Sequence, residues 1–141
     1  MFKKIITFAW VLLLTTLGFS QIYDPVDWTY QVEQNGKEAT LIFTATIEEG
    51  WHVYSQTLES DDGPVATEIT FEPNDNYELV GVATESKTYK EYDPNFEMNL
   101  TFFKDKAILK QKIKLKTDKK FTIKGGVALN TNYLEQILSL R

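Results

Sequence analysis

The sequence predicts an all-β domain of two packed sheets, and three features carry that expectation. Aromatic residues make up 13% of the chain, and Thr, Val and Ile recur in short runs, the residue types that fit a pleated, half-buried surface. Within those runs apolar and polar residues alternate, the period of a strand with one face covered. Turn signals separate the runs roughly every 8–12 residues, which is the spacing of a sandwich rather than of βαβ units.

The chain opens on Met1–Ser20, which reads as a secretory signal peptide. Lys3 and Lys4 supply the charged start, Ile5–Leu14 the apolar centre, and Gly18 and Ser20 the small residues before a cut. The apolar centre is shorter than the roughly 20 residues needed to span a bilayer. Cleavage before Gln21 is expected, leaving Gln21–Arg141 as one domain in the periplasm or outside the cell. Trp28–Val32 is the first strand, followed by the Gln34–Lys37 turn. Ala39–Ile47 alternates, with Leu41, Phe43, Ala45 and Ile47 on one face and Thr40, Thr44 and Thr46 on the other. Gly50 breaks that run, and Trp51–Tyr54 starts another extended piece. A polar loop covers Ser55–Val65, and Thr67–Phe71 and Tyr77–Val82 flank the Pro73–Asn76 turn. Ala83–Asn95 reads as irregular. Phe96–Phe103 and Ala107–Leu115 read as a hairpin about Lys104-Asp105-Lys106, with Lys110, Lys112, Lys114 and Lys116 on an outer face that resists edge pairing. Phe121–Leu129 is the last expected strand. Asn132–Leu140 changes period: Tyr133, Leu134, Ile137 and Leu138 fall on one side of a helix, with Thr131 or Asn132 as its cap. The sum is an immunoglobulin-like β-sandwich with a short C-terminal helix.

Charge narrows the partners. The whole chain carries −5, and loss of Lys3 and Lys4 with the signal makes it −7. Glu48–Glu97 holds 13 acids and two lysines, whereas Met98–Arg141 holds ten basic residues and three acids. The two halves are expected to neutralise one another across the domain, the alternative being a basic half that meets an acidic partner. The acidic balance makes nucleic acid and anionic membranes poor partners, and nothing after the signal is long and apolar enough to insert in a membrane. The sequence has no cysteine, so neither disulfides nor thiol chemistry is open to it.

Four pieces occur in a telling order: Asp24-Pro25-Val26-Asp27-Trp28, Glu49–Ser55 around Trp51-His52, Tyr92–Met98 around Asp93-Pro94-Asn95-Phe96, and Phe121–Gly125. Together they resemble the N-terminal periplasmic domain of the thiol:disulfide interchange protein (DsbD) family, also called the disulfide bond corrector domain, over nearly all of Gln21–Val127. That resemblance implies an immunoglobulin-like sandwich that passes electrons from a membrane-embedded domain to periplasmic disulfide isomerases and cytochrome c maturation proteins. It implies a working pair of cysteines, covered by an aromatic-bearing loop until a partner arrives. Counted on from Ile123-Lys124-Gly125, the cysteine positions fall near Asn132 and Ile137, and neither residue can form a thiolate. The segment after them is Ser139-Leu140-Arg141 rather than a proline-rich one.

No catalytic residue, metal site or cofactor is expected. His52 is the only histidine, and its place between Trp51 and Val53 suits a structural role. Glu48 and Glu49 are adjacent, so on a strand they point to opposite faces, and Asp61-Asp62-Gly63-Pro64 reads as a turn. Asn99-Leu100-Thr101 matches a glycosylation acceptor but sits within a strand. The candidate partner-binding group is Tyr89, Tyr92 and Phe96, which falls where the family's covering loop would be, because exposed loop aromatics commonly anchor partners. The expected activity is that of a redox-inactive relative binding a periplasmic thioredoxin-fold protein. Two alternatives stay open: a remnant without activity, and a sandwich binding glycans or lipids through Trp51, Tyr54 and Tyr89–Phe96.

Overall fold

A computed structural model describes residues 24–129 and 132–140; the signal-peptide reading, Met1–Ser20, lies outside them. Ten strands follow in order: β1 (Val26–Asn35), β2 (Glu38–Ile47), β3 (Val53–Tyr54), β4 (Glu68–Phe71), β5 (Tyr77–Glu85), β6 (Tyr89–Asp93), β7 (Met98–Phe103), β8 (Lys106–Leu115), β9 (Phe121–Leu129) and β10 (Asn132–Leu140). They form a four-stranded sheet, β1-β2-β8-β5, and two three-stranded ones, β10-β9-β4 and β3-β7-β6. All pairings are antiparallel. The result is an all-β sandwich.

Alternation places the core. In β2, Ala39, Leu41, Phe43, Ala45 and Ile47 are buried on one face, and β8 adds Ala107, Leu109, Ile113 and Leu115 beside them. Across the gap, Ile123 and Val127 of β9 complete the layer with Ile69 and Phe71 of β4. Phe43 meets Tyr30 and Phe71 edge-on, at 5.5 and 6.1 Å between ring centres. Within the β10-β9-β4 sheet, β4 and β9 lie close together at Gly125, where a Cβ would stand 2.7 Å from the Thr70 carbonyl oxygen.

The β1–β2 hairpin turns on Gly36-Lys37, with Gly36 at φ +61°. A positive φ at the first central residue alone is the signature of a type II′ turn, whose twist matches that of the strands. A second turn explains a departure from expectation. Asp105 lies at φ +62° and the Lys106 N–H donates to the Lys104 carbonyl at 2.6 Å, a tight γ-turn. It sends β7 and β8 into different sheets, so they form no hairpin. β8 is instead the centre of its sheet, between β2 and β5. Lys110, Lys112 and Lys114 do lie on an exposed outer face, but they guard no edge.

Two more readings change. Ala83–Asn95 is irregular only in part, because β5 runs on to Glu85 and β6 takes up Tyr89–Asp93. Asn132–Leu140 is strand β10, not a helix, and pairs with β9 from Asn132↔Leu129 to Leu140↔Phe121. A nine-residue helix is marginal by itself, whereas the open side of β9 offers a full row of backbone donors and acceptors. Leu134, Leu138 and Leu140 also fit a period of two. The tertiary pairing therefore outweighs the local helical pattern.

The charge halves interleave strand by strand. Glu48–Glu97 supplies β3 to β6 and Met98–Arg141 supplies β7 to β10, and each acidic-half strand pairs with a basic-half one. Glu78–Lys116, Glu91–Lys104 and Glu72–Lys124 cross the divide at 3.4, 2.8 and 3.8 Å. All are solvent-exposed, so each contributes well under about 1 kcal/mol.

Candidate functional site

The register fixes which connections share an end. β1–β2, β4–β5 and β8–β9 turn at one end, where Tyr77 stacks on Phe121 and the Lys116 N–H donates to the Asn76 carbonyl. The β2–β3, β5–β6 and β7–β8 connections turn at the other, where β9 ends and β10 begins. The β3-β7-β6 sheet belongs to this second end. It is joined to the rest by Glu85 at the close of β5, whose carboxylate accepts from the Ser55 hydroxyl at 2.7 Å and the Gln56 N–H at 3.1 Å. The Ser55 oxygen in turn accepts from the Thr57 N–H, and the Thr67 hydroxyl donates to the Tyr54 carbonyl at 2.6 Å. Ser55 and Thr67 are buried, so this polar joint is sheltered from water.

Val53 and Phe103, opposite one another, face the core. Their neighbours share the opposite, outer face, where Leu100 and Phe102 are nonetheless buried and Gly63 lies against Met98 and Leu100. Tyr54 and Tyr89 both stand opposite Phe102, Glu91 opposite Leu100 and Asp93 opposite Met98. A cleft of about 180 Å³ on this side is bounded by His52, Glu91, Tyr92, Asp93, Leu100, Phe102 and Lys104. His52 is edge-on to Tyr54 and tilted over Phe102, at 4.9 and 5.0 Å. Tyr89 stacks on Phe102, with the Lys104 ammonium 5.3 Å from its ring centre, a cation–π arrangement. Lys104 also pairs with Glu91 at 2.8 Å. Burial raises the Tyr54 phenol above its ordinary pKa, and the Asp93 charge adds to the effect.

The three proposed anchors do not form one patch. Tyr89 and Tyr92 lie three residues apart on β6, so they point to opposite faces. Tyr89 shares the outer face with Phe102, whereas Tyr92 stands opposite Asn99 on the other face. Phe96 sits in the β6–β7 connection, shaped by the Asp93 carboxylate accepting from the Asn95 and Phe96 N–H groups. All three are exposed, Tyr92 the most at 63%. Lys90 and Asn99 are exposed beside Tyr92, so the β6–β7 ribbon extends past the cover of the core.

Glu48, Glu49 and Trp51 are exposed at the β2–β3 connection. Asp61 and Asp62 lie in a turn, where the Ser60 hydroxyl donates to Asp62 and accepts its N–H. Among the described residues no three His, Cys, Asp or Glu side chains gather as metal ligands do, and no helix is long and apolar enough to cross a membrane. Asn132 and Ile137 both fall on β10, opposite Leu129 and Lys124. Five residues of strand separate their Cα atoms by roughly 16 Å, beyond the reach of a disulfide between those two positions. The joint at Glu85 and the outer-face cleft escaped the sequence reading. Tyr89, Glu91 and Asp93 alternate in the sequence, which was the available signal.

With this arrangement in view, comparison with known families is informative. The model of the family described as thiol:disulfide interchange protein DsbD, N-terminal, matches residues 21–129. The chain belongs to that family. The match to the DsbD N-terminal family takes in β1 to β9 and stops at Leu129, where the strand preceding β10 ends. No curated protein matches. The crystal structure of the yeast GGA1 GAE domain is similar at 5% identity and a TM-score of 0.37, over 86% of this chain and 94% of that one, too distant to bear on function.

Proposed function

We propose that this chain is an exported, redox-inactive member of the DsbD N-terminal family that acts as a protein-binding module in the periplasm, docking a thioredoxin-fold protein linked to disulfide reduction or cytochrome maturation. One observation carries the reading: the family match over residues 21–129 in a sequence without cysteine. Without a thiolate, the chain cannot attack a disulfide or form a mixed one. What remains of such a domain's work is recognition. Tyr89, Tyr92 and Phe96 supply exposed aromatic surface at the end where β9 stops and β10 starts, and aromatic side chains are common anchors at interfaces.

The test uses purified Gln21–Arg141 and thioredoxin-fold proteins from the same periplasm, titrated by calorimetry beside an insulin-reduction assay. The expected result is saturable binding to one of them, weakened about tenfold in a Tyr92→Ala/Phe96→Ala variant, with no insulin reduction. Reduction by the purified chain, or binding indifferent to both substitutions, refutes the reading.

A further inference from the structure

β6 is an open sheet edge with neither a bulge nor a covering strand. Among the described residues it pairs with β7 alone, and no backbone hydrogen bond joins it to any other segment. The other edges are guarded in separate ways. β1 lies against β10. β3 has two residues and β4 only four. β5 is interrupted by a bulge between Val80 and Thr84, with Gly81 at φ +67° and the buried Gln111 amide donating to the Val80 and Gly81 carbonyls. Bulges, short strands and covered edges are the usual means of preventing strand addition. β6 has five regular residues in unbroken register with β7; three of them are charged, and Pro94 stands directly after the paired residues.

Its charges describe the complement. Glu91 and Asp93 alternate on the outer face, so their carboxylates lie roughly 7 Å apart along the strand. Lys90 is already paired with Glu59, and Lys104 with Glu91. Thr88–Glu97 holds three acids and one lysine, within the strongly acidic Glu48–Glu97. A strand laid along β6 therefore meets a net negative edge with two carboxylates at the spacing of alternate residues, Glu91 shared with Lys104 and Asp93 engaged through one oxygen by the Asn95 and Phe96 N–H groups.

We propose that β6 receives an extended basic segment of the protein partner by β-strand addition, with lysine or arginine at alternate positions opposite Glu91 and Asp93. Backbone hydrogen bonds supply affinity in this mode and the alternating side chains supply selectivity. Tyr89 and Tyr92, on opposite faces of β6, flank the incoming strand above and below. The inference rests on the docking-module reading and specifies its geometry.

The experiment is hydrogen exchange of Gln21–Arg141 with a short peptide of alternating threonine and lysine. Controls are the same peptide with N-methylated backbone amides and one with glutamate for lysine. The lysine peptide is expected to slow amide exchange within residues 89–93 by about fivefold or more. Both controls lose that protection, and Glu91→Lys weakens peptide binding about tenfold. Absence of protection in β6, or equal protection by the N-methylated peptide, overturns strand addition. If a thioredoxin-fold protein still binds in the calorimetric assay while β6 stays unprotected, strand addition fails and the docking module stands. If the peptide protects β6 but no such protein binds, strand addition stands and the thioredoxin-fold partner falls.

Discussion

The four-stranded sheet and the β3-β7-β6 sheet use the same kinds of residue to opposite ends. In β8, buried Ala107, Leu109, Gln111, Ile113 and Leu115 alternate with solvent-facing residues along the whole strand, because a second layer covers one face throughout. In β7, Leu100 and Phe102 are buried on one face and Phe103 on the other, while across from them Tyr89 to Tyr92 of β6 are all exposed. Neither face of that ribbon is fully covered. The contrast shows that alternation reports a fold only where a whole layer lies beneath it. At the end of the sandwich, aromatic side chains are free to serve a surface instead.

The contrast can be broken most forcefully from the core side. Phe43 is completely buried between Tyr30 and Phe71, and Phe43→Ala is expected to lower the unfolding free energy by about 3–5 kcal/mol in a urea titration. Next comes the joint between the two regions. Glu85→Ala removes the acceptor of the Ser55 hydroxyl and the Gln56 N–H, an expected loss of about 1–3 kcal/mol. Amide exchange should then accelerate around Ser55–Thr57 more than in β2; uniform acceleration would mean that the two regions unfold as one.

Alkaline pH probes both regions together. Burial raises the phenols of Tyr30 and Tyr77, helped by the charges of Asp27 and Glu72, and raises Tyr54 likewise. The native state holds these protons more tightly than the unfolded chain, which releases them near pH 10. The associated stability is present in full below about pH 10 and is lost as pH rises through the raised values. Urea midpoints should be flat just below that pH and fall above it; a rise would contradict the burial. The smallest effect belongs to Tyr92. Tyr92→Ala is expected to change stability by less than about 0.5 kcal/mol, and a larger loss would mean that its ring is structural.

The sandwich was legible because Ala39–Ile47 and Lys106–Leu115 spell their burial in every second residue. Lys104-Asp105-Lys106 misled, since a hairpin and a crossover between sheets can share the same few polar residues; only the positive φ at Asp105 separates them. Asn132–Leu140 fits periods of 3.6 and of two about equally, and the vacancy beside β9 decided between them. The aromatic group was legible as exposed but not as divided. That division depends on Tyr89–Asp93 being a strand, a stretch whose polar residues looked irregular. The joint at Glu85 brings together residues 30 positions apart in the sequence, and no local pattern announces it.

The central place of β8 also governs how the domain comes into being. Synthesis delivers the chain from its N-terminus, and β1 and β2 form a local hairpin on the Gly36-Lys37 turn. That hairpin carries Leu41, Phe43 and Ala45 on an uncovered face, and its only other neighbour in the sheet is β8. Until Lys106–Leu115 has emerged, the free side of β2 is a sticky edge in search of a partner. The nascent domain therefore has a window in which a holding chaperone has most to grasp, and the window closes when its eighth strand arrives.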